Sequence, residues 1–344
     1  MIKIILPFLA LAFIWGGLMV PPPSRAAEPS PPIVVTDFRG KTLRFESPVR
    51  RIVCLIESAL SGIYMLGEEQ RVVGISRNIY TDNVHPHYTA LDARIKDKKL
   101  PAPGNWDFVN LESVVALKPD LVIIWSQQSE AIGSLEEKGI PVYGVFIQRK
   151  EDVYKEIEAL GKLTGNTKRA EALIRFTKNE LARFASRTSG LPPVKRPSVY
   201  YMWAQGNLET SCGESTVNDL IQLAGGRNVC AALPQEHLVV NLEKVFSWDP
   251  DLILMWYNEK KDPLDIIQDP QWKRIKAVRD RRVHEFPEVF WCDLWTLKFL
   301  YAVKLTAKWV HPELFRDIDL DRDKQKMMEF FYGQKKATNA LQQH

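Results

Sequence analysis

Apolar and polar residues alternate along the chain in two kinds of segment. Short continuous apolar runs, typical of strands buried on both faces, occur at 51–56, 72–75, 121–125, 142–146, 198–202 and 252–256. Segments with helical spacing lie between them at 58–66, 111–117, 132–138, 215–224 and 242–246. The stretch 34–45 alternates around a turn at 37–40 and predicts a hairpin. Strands that alternate with helices are typical of parallel βαβ units, so the pattern predicts an α/β fold.

Two longer helices are predicted in the middle of the chain. The first has Val153, Ile157 and Leu160 on one face and ends near Gly165. The second begins after Asn166 and runs to about 187, before a Gly- and Pro-containing stop. At 1.5 Å per residue it spans roughly 30 Å, the width of a small domain. The strand and helix pattern restarts near 196, so this helix is predicted to connect two lobes.

An internal repeat indicates that the two lobes are similar. Residues 109–125 read VNLESVVALKPDLVIIW and residues 240–256 read VNLEKVFSWDPDLILMW, with nine identical positions. In each copy an Asn is placed to cap a short helix and a Pro to end it before a buried strand. The sequence therefore predicts a first lobe at 28–165, a bridging helix at 166–190, a second lobe at 191–333 and a polar tail at 334–344.

The N-terminus has the order of a secretory signal. Lys3 precedes an apolar run at 4–20, and three prolines and a small-residue stretch follow at 21–27. Cleavage after residue 26 or 27 is expected; the alternative is an uncleaved anchor, which also places the domain outside the cytoplasm. No Cys follows the run directly, so a lipid anchor is not indicated. We expect a periplasmic protein.

Charge and cysteine content narrow the class further. The net charge is +4, and the basic and acidic residues are interspersed, which argues against a nucleic-acid partner. The four cysteines contain no CxxC pair, so a structural zinc site is not indicated. Cys212 and Cys230 flank a predicted helix; a disulfide and a pair of buried thiols both remain open. Cys54 lies in an apolar strand and is interpreted as a core residue.

Several short motifs, taken together in order and spacing, resemble a known family. The motifs are Arg51-Ile52-Val53, both Asn-Leu-Glu…Pro-Asp-Leu units, the run 224–229, Trp272-Lys273…Ala277-Val278…Arg282-Val283, and the run 311–315. The chain resembles, over about 34–333, the periplasmic binding proteins that carry cobalamin, ferric siderophores, haem and related metal complexes. The resemblance implies two Rossmann-like α/β lobes with mainly parallel sheets, one long bridging α-helix and a ligand cleft between the lobes.

Glu112 and Glu243 occupy the same position in the two repeat units, in the first turn of a short helix. A carboxylate there interacts favourably with the helix dipole and stabilises the helix by about 0.3–1 kcal/mol. Helix stabilisation is therefore one interpretation of the two glutamates. The resemblance implies another: one glutamate per lobe meets basic residues on a membrane permease. The chain departs from the common pattern at Leu55-Ile56-Glu57-Ser58, a segment that lines the cleft in relatives, which makes Glu57 a candidate ligand residue.

Candidate ligand residues follow the predicted strands. Ligands of open α/β sheets bind outside the carboxyl ends of the strands, and large aromatic surface there suits a bulky ligand. Trp125, Trp256 and Trp295 also lie at such positions, and about half of the strand-end aromatic residues are expected to be core. Arg77 and Arg149 are either anion-binding or ordinary surface residues. The candidate ligand residues are Glu57, Arg77, Tyr80, Trp106, Arg149, Trp203, Tyr257 and Trp291.

The histidines give little indication of a metal site. His85 and His87 form a His-Pro-His step in an expected polar loop and are weak candidates for ligating one metal. His237 and His284 stand alone. GxSxG, P-loop and HExxH motifs are absent from the sequence, so no enzyme activity and no cofactor are expected.

These features predict a monomeric solute-binding protein that delivers a metal chelate to an ABC permease and its ATPase. A ferric siderophore or a corrinoid or haem-like complex is the expected ligand, because of the aromatic residues. One alternative is a small oxyanion such as molybdate, or a metal ion, on the same fold. The other alternative is a periplasmic ligand sensor.

Overall fold

The computed structural model describes residues 31–258 and 260–342, so the predicted signal segment 1–27 lies outside the described residues. The strands are β1 (Ile33–Thr36), β2 (Thr42–Phe45), β3 (Ile52–Cys54), β4 (Val72–Ile75), β5 (Leu121–Trp125), β6 (Val142–Val145), β7 (Ser198–Met202), β8 (Glu209–Thr210), β9 (Arg227–Asn228), β10 (Leu238–Val239), β11 (Leu252–Met255) and β12 (Val283–Glu285). The helices are α1 (Glu57–Met65), α2 (Asn78–Thr81), α3 (His85–Leu91), α4 (Ala93–Lys96), α5 (Leu111–Ala116), α6 (Ser129–Glu137), α7 (Lys150–Thr164), α8 (Thr167–Ser186), α9 (Thr216–Leu223), α10 (Leu242–Trp248), α11 (Pro263–Gln268), α12 (Lys276–Arg279), α13 (Phe299–Val310), α14 (Leu320–Tyr332) and α15 (Gln334–Leu341).

The first lobe is built on a parallel sheet in the order β4-β3-β5-β6. Every residue of β3 and β6 is buried, because helices cover both faces of the sheet. That double burial explains why the sequence shows continuous apolar runs here and not alternation. The predicted hairpin at 34–45 forms as the antiparallel pair β1–β2.

The second lobe repeats this topology. Its parallel sheet has the order β9-β7-β11-β12. Numbered within each lobe, both sheets have the strand order 2-1-3-4, so the sequence repeat reflects one topology used twice. The second lobe adds a small antiparallel pair, β8–β10, within its α/β units, whereas the antiparallel pair of the first lobe, β1–β2, precedes its parallel sheet in the chain. The predicted α/β class with parallel sheets is confirmed.

The helices of the repeat have matched ends. The side chains of Asn110 and Asn241 each accept a hydrogen bond from the backbone N–H three residues later, at 2.9 Å in both cases. Lys118 and Asp249, at equivalent positions after these helices, both have positive φ, 47° and 38°. Each therefore reverses the chain directly before its Pro, and the strand follows.

The two Pro-Asp-Leu aspartates also have one structural role. Asp120 accepts a hydrogen bond from the backbone N–H of Arg51 at 2.9 Å, next to the start of β3. Asp251 accepts one from the backbone N–H of Ser198 at 2.7 Å, at the start of β7. Each carboxylate ties the first strand of its lobe to the third, so the identity of these residues follows from the fold.

The bridging helix α8 occupies the predicted segment. Its buried residues are Ala170, Leu173, Thr177, Leu181 and Phe184, which recur at three- and four-residue spacing and lie on one face. From Pro32 onward the chain forms one compact unit, so the two lobes and this helix pack together. Within the described residues, we find no helix with the length and apolar content that a membrane crossing requires.

The C-terminus corrects the predicted lobe boundary and tail. The segment 334–344 was expected to be a polar tail, but it contains α15, in which Ala337 and Ala340 are fully buried. This helix packs on α3 of the first lobe, and Tyr332 at the end of α14 shares a 2.7 Å hydrogen bond with Ser61 of α1. The last two helices thus return to the first lobe, because their small and aromatic residues complete its core.

Candidate functional site

In both sheets the topological switch point, where successive connections turn in opposite directions, lies between the same two strands. In the order 2-1-3-4 the connections diverge between the first and third strands, β3 and β5 in one lobe and β7 and β11 in the other. Ligands of such sheets bind outside the carboxyl ends of these strands. Glu57 begins α1, three residues after the end of β3 in the first lobe, whereas Trp203 and Trp256 directly follow β7 and β11 in the second. We take these strand ends as the candidate site.

The segment 286–298, between β12 and α13, connects the two lobes at this site. Phe290 stacks on His87 of α3 with ring centroids 4.5 Å apart, and it contacts Tyr88 edge to face at 5.6 Å. The hydroxyl of Tyr88 in turn donates to the backbone carbonyl of Glu57 at 3.3 Å. A second-lobe segment therefore packs directly against the helix that lies beside Glu57.

The two weak metal candidates do not form a pair. The expected loop around His85 and His87 is helix α3, in which residues two apart point to different sides. His85 Nδ1 makes a 2.9 Å hydrogen bond with the carbonyl of Ile79. The buried Nε2 of His87 is bonded to the carboxylate of Glu288 from the second lobe. The prediction of an extended loop, which would let both histidines bind one metal, is therefore wrong.

Three tryptophans, Trp203, Trp256 and Trp295, form what we call the tryptophan cluster. The rings of Trp203 and Trp295 are nearly parallel, with centroids 6.0 Å apart, and Trp256 lies 5.7 Å from each. The indole N–H of Trp203 donates to Ser211 Oγ at 2.9 Å, which fixes its orientation. Trp203 and Trp256 are buried, 7% and 8% exposed, so Trp295, which is half-buried, supplies most of the exposed surface of the cluster. The cluster gives the second lobe a rigid aromatic edge.

Carboxyl groups lie on the first-lobe side of the site. Burial raises the pKa of Glu57 to about 7, although Ser76 Oγ donates to its carboxylate at 2.5 Å. Burial also raises the pKa of Asp293, and the ammonium of Lys298 at 3.8 Å opposes that shift. The Asp293 charge contributes to the raised pKa of Glu57, so the two groups interact. At neutral pH the carboxyl of Glu57, whose pKa is about 7, can donate as well as accept hydrogen bonds.

Lys298 is a buried cation beneath these carboxyls. Its side chain is 1% exposed, and its Nζ lies 3.7 Å from the centroid of the Phe290 ring. Burial lowers its pKa to about 8. The ammonium is thus held between one carboxylate and one aromatic face, which compensates for part of its lost hydration.

Arg149 is engaged between the lobes. Its guanidinium donates to both carboxylate oxygens of Asp219, at 3.1 and 3.3 Å, and the backbone N–H of Lys150 donates to the same group at 2.9 Å. The Asp219 side chain is only 2% exposed. The positive charge of Arg149 is therefore compensated by the second lobe, while its side chain remains 41% exposed; its role as a ligand residue stays a prediction.

The other candidate ligand residues have different surroundings. Trp106 is 52% exposed and Arg77 is also exposed, whereas Tyr257 is half-buried. Tyr80 is half-buried and donates through its hydroxyl to the carbonyl of Leu100 at 2.9 Å. Trp291 is 1% exposed and packs on His87 and Phe290, so it belongs to the core and not to an open cleft surface. Sequence position alone did not separate these cases.

Cys212 and Cys230 form a disulfide, with their Cα atoms 5.0 Å apart. Of the two interpretations left open by the sequence, the structure has the bonded one. The bridge closes the connection from β8 through α9 to β9, behind the tryptophan cluster. Cys54 and Cys292 are free and buried, and burial raises the pKa of the Cys54 thiol.

His237 lies at the edge of the tryptophan cluster. Its Nε2 is 2.8 Å from the Glu209 carboxylate, and its ring centroid is 6.4 Å from that of Trp203. The side chain is 42% exposed. Sequence reasoning gave this histidine no role because it stands alone; it lies three residues before the second repeat unit, as Trp106 lies three residues before the first.

Glu112 and Glu243 are both exposed, in the first turns of α5 and α10. Neither carboxylate has a hydrogen bond or an ion pair with another residue in the described ranges 31–258 and 260–342. Their position is the same in both lobes because the capping asparagines and the helices are the same. Two equivalent carboxylates are therefore available to a partner.

A cavity of about 180 Å³ lies away from the strand ends, beside Lys150, Thr188, Arg196 and Asp219. It borders the end of α8 and the second half of α9, and its lining includes neither Glu57 nor a member of the tryptophan cluster. Among the described residues, no group of three or more His, Cys, Asp or Glu side chains is arranged to hold a metal ion. Within the described residues there is therefore no set of side chains that could chelate a bare metal ion.

Comparison with known proteins gives consistent sequence relatives. The sequence model of a family described as periplasmic binding protein matches residues 52–289. The chain is 24% identical over 324 residues to the molybdate-binding protein MolA of Haemophilus influenzae, covering 87% of this chain and 90% of that one. It is 23% identical over 249 residues to a vitamin B12-binding protein of Vibrio parahaemolyticus, covering 72% and 84%.

Solved structures share the fold over most of the chain. A periplasmic solute binding protein from Veillonella parvula is similar with a TM-score of 0.72 and 28% identity, covering 87% of this chain and 92% of that one. MolA bound to molybdate gives a TM-score of 0.75 at 23% identity, covering 87% and 97%. Helicobacter pylori CeuE in a Ni-His complex gives 0.73 at 18% identity, covering 88% and 96%.

Proposed function

The chain belongs to the periplasmic binding protein family, and from that membership we propose that it captures a bulky metal chelate and delivers it to an ABC importer. The chelate is a ferric siderophore or a corrinoid or haem-like complex. The observation that carries this proposal is the tryptophan cluster at the carboxyl ends of the second-lobe strands. The half-buried ring of Trp295, held in place by the buried rings of Trp203 and Trp256, is a rigid aromatic surface that favours a large planar or partly apolar ligand.

The donor groups of the described residues support a metal that arrives already chelated. No set of three or more ligating side chains occurs among them, so they provide little affinity for a free ion. The carboxyl of Glu57 suits a ligand that presents amide, hydroxyl or amine groups, since a carboxyl with a pKa of about 7 both donates and accepts hydrogen bonds at neutral pH. A chelate with a polar periphery and an apolar face meets both requirements.

Delivery is supported by the matched carboxylates Glu112 and Glu243. Each is exposed and without a partner in the part of the chain that the structure describes, and the repeat fixes both at the same place in their lobes. Such a pair suits a permease with two equivalent basic sites. We propose a periplasmic monomer, exported by the signal segment 1–27, that works with a permease and its ATPase and without a cofactor or enzyme activity of its own.

A tryptophan-fluorescence titration tests the binding proposal. The panel contains ferric siderophores, cobalamin, cobinamide, haem, nickel chelates and molybdate, with correction for ligand absorbance. We expect saturable quenching by one chelate at micromolar concentration or below, because the ligand contacts the tryptophan cluster. A protein that responds to none of the chelates, with calorimetry in agreement, would contradict the proposal.

Molybdate is the second candidate, favoured by the similarity to MolA over 87% of the chain. Its oxyanion needs hydrogen-bond donors or cations; the exposed Arg77 after β4 is one such cation, but the other charged groups near the strand ends suit an oxyanion less well. Glu57 and Asp293 are carboxyls, and the buried ammonium of Lys298 already faces Asp293 and Phe290. Tight molybdate binding in the same titration, with no response to chelates, would show that the ligand is the oxyanion and not a metal chelate.

A further inference from the structure

An exposed apolar side chain stands at the same place before each repeat helix. Phe108 and Val239 both lie two residues before the capping asparagine, of α5 in one lobe and of α10 in the other. Phe108 is 55% exposed and Val239 is 67% exposed. Of the large apolar side chains exposed in the part of the chain that the structure describes, these two alone occupy equivalent repeat positions. Single exposed apolar residues are common, but a pair repeated in both lobes needs a common cause.

Hydrogen bonds of the backbone hold both residues in place. In the first lobe, Asn105 Oδ1 accepts from the backbone N–H of Phe108 at 2.8 Å, and the backbone N–H of Asn105 donates to the carbonyl of Phe108 at 2.7 Å. In the second lobe, Val239 belongs to β10 and lies opposite Glu209 of β8. A partner that buries these side chains therefore does not have to order the loops that carry them, which lowers the cost of association.

Each apolar side chain lies near an available carboxylate. Phe108 is four residues before Glu112, and Val239 is four residues before Glu243, so the Cα atoms of each pair are within about 14 Å of each other. All four side chains are exposed. An apolar group beside a charge suits an interface in which burial of the apolar group gives affinity and the charge directs association. We call Phe108 with Glu112, and Val239 with Glu243, the two matched patches.

The matched patches border the candidate ligand site. Gly104, in the loop that carries the first patch, forms a bridge with Ser76 at the carboxyl end of β4. In the second lobe, the backbone N–H of Trp203 donates to the carbonyl of Glu209 at 3.0 Å, and Glu209 is the strand partner of Val239. A partner that contacts both patches therefore also faces the bound ligand.

We propose that Phe108 and Val239 enter two equivalent apolar pockets on the periplasmic face of the permease, each pocket beside the basic site that receives Glu112 or Glu243. This inference rests on the proposed function and adds an apolar contact to each charge. A permease with two equivalent halves fits, because the two patches have the same residue order, spacing and charge. A second copy of this chain, docked through the same surface, fits less well, since its carboxylates would face these carboxylates.

Binding to the reconstituted permease tests this inference. The permease and ATPase are those whose deletion stops cells from taking up the chelate that quenches tryptophan fluorescence. Their complex is placed in lipid nanodiscs, and its Kd for the full chain is measured at several salt concentrations. Phe108→Ala/Val239→Ala removes both apolar groups, and Phe108→Val/Val239→Phe exchanges them. Val194→Ala is the control variant, because Val194 is 90% exposed and lies before β7, at the amino end of the second-lobe sheet.

We expect Phe108→Ala/Val239→Ala to lose about 30- to 100-fold in affinity for the permease, because both buried anchors are removed. The exchange variant stays within about threefold of wild type, since two equivalent pockets meet the same pair of side chains. The salt dependence of docking is retained in the double alanine variant but falls in Glu112→Gln/Glu243→Gln, which removes the charges. Val194→Ala docks like wild type.

Two further measurements exclude other roles for the apolar pair. Chelate affinity of the double alanine variant is expected to stay within about twofold of wild type, because the patches border the ligand site without forming it. Its urea unfolding is expected to match wild type, since exposed side chains contribute little to the stability of the fold. A loss of chelate affinity would assign Phe108 and Val239 to the ligand site and overturn the inference.

The remaining outcomes separate this inference from the proposed function. If reversal of Glu112 and Glu243 prevents docking but the double alanine variant docks like wild type, the inference is overturned and the proposed function stands. Self-association of wild type that the double alanine variant loses, with docking unchanged, would assign the surface to a second copy and also overturn it. An exchange variant as weak as the double alanine variant would contradict two equivalent pockets. If wild type binds none of the panel of chelates, the proposed function fails, and the inference fails with it.

Discussion

The two lobes share a scaffold but differ at the strand ends. Both sheets have the strand order 2-1-3-4, both repeat helices have an asparagine cap, and both Pro-Asp-Leu aspartates bind the start of the first strand. At the carboxyl ends, the first lobe presents Glu57 with Ser76, whereas the second presents the tryptophan cluster and His237. The scaffold is therefore repeated, and the ligand-facing edge is not.

This difference indicates which positions were free to diverge. Residues that set helix ends and strand connections are the same in both lobes because each lobe must fold in the same way. Glu112 and Glu243 are not needed for either cap, yet they are also the same, which fits a partner with two equivalent sites. The strand ends differ, as we expect if one asymmetric ligand contacts them from two sides, which is the proposed function.

The largest expected effect comes from reversing the matched carboxylates. In Glu112→Arg/Glu243→Arg, two exposed charges become repulsive toward basic sites on a permease, so we expect uptake of the ligand to fall at least about 100-fold. Ligand affinity is expected to stay within about twofold, because neither residue lies at the strand ends. Uptake by cells and binding by the purified protein measure the two quantities.

Glu130→Arg/Glu171→Arg, a double reversal of exposed carboxylates elsewhere, is the control for this experiment. It is expected to leave uptake unchanged. Normal uptake by the Glu112 and Glu243 variant would sink the docking proposal and favour a sensor function for the same fold.

The next largest effect comes from comparing tryptophans at the strand ends of the second lobe and of the first. Trp295→Ala removes the partly exposed ring that stacks on Trp203, and we expect ligand affinity to fall about 30-fold, or about 2 kcal/mol. Trp125→Ala removes the first-lobe equivalent of Trp256, which packs on Phe146, and should change affinity by less than about threefold. Calorimetric titration of both variants measures this; equal losses would mean that the first lobe also binds through aromatic contacts.

The lobes also differ in the ionisable groups that they bury. This difference predicts that the free energy of unfolding depends on pH. Helix α7 buries Glu156, whose pKa burial raises to about 8, whereas α13 buries Lys304, paired with Glu180 and Asp323 at 2.7 Å each. The folded state therefore keeps the proton of Glu156 above the pH at which the unfolded chain loses it. Its contribution lowers the free energy of unfolding as pH rises from about 5 to 8, by on the order of 3 kcal/mol.

Urea unfolding between pH 5 and 8 tests this sign. Glu156→Gln is expected to remove most of the decline, with a smaller decline left by Glu57, whose pKa is about 7. Glu158→Gln is the matched control on the same helix, since that side chain is 55% exposed and pairs with Lys162. A decline that Glu156→Gln leaves unaltered would show that another group controls it.

The smallest effect compares the two structural aspartates. Asp251 accepts from the backbone N–H and the hydroxyl of Ser198 and from Lys276, at 2.6–2.8 Å, so Asp251→Ala should cost about 2 kcal/mol. Asp120 accepts from two backbone N–H groups at the chain's entry to β3, and Asp120→Ala should cost about 1 kcal/mol. Urea unfolding of both variants measures the loss in free energy of unfolding. A larger loss for Asp120→Ala than for Asp251→Ala would contradict the prediction.

Local sequence patterns predicted the scaffold but only part of the site. The repeat at 109–125 and 240–256 predicted equivalent lobes because caps, breakers and buried strands are local features. The helices in 78–96 were missed, since they have little apolar periodicity and begin within a polar stretch. The return of α15 to the first lobe depends on the buried Ala337 and Ala340, which carry no signal of their partner.

Contacts between distant segments explain the remaining differences. Trp295 stacks on Trp203 from 92 positions later in the chain, and Arg149 is compensated by Asp219 from the other lobe. His237 gains its hydrogen-bond partner only because the β8–β10 register places Glu209 beside it. Pairings of this kind depend on the packing of the two lobes, which no local pattern contains.

Hydrogen exchange with and without bound chelate tests most directly whether the ligand lies between the strand ends of both lobes. The chelate is the one that quenches tryptophan fluorescence in the titration. We predict slower exchange in both lobes, at the start of α1, after β4, at 203–209 and in segment 286–298. Protection confined to one lobe, or centred on the cavity beside Lys150 and Arg196, would contradict this account.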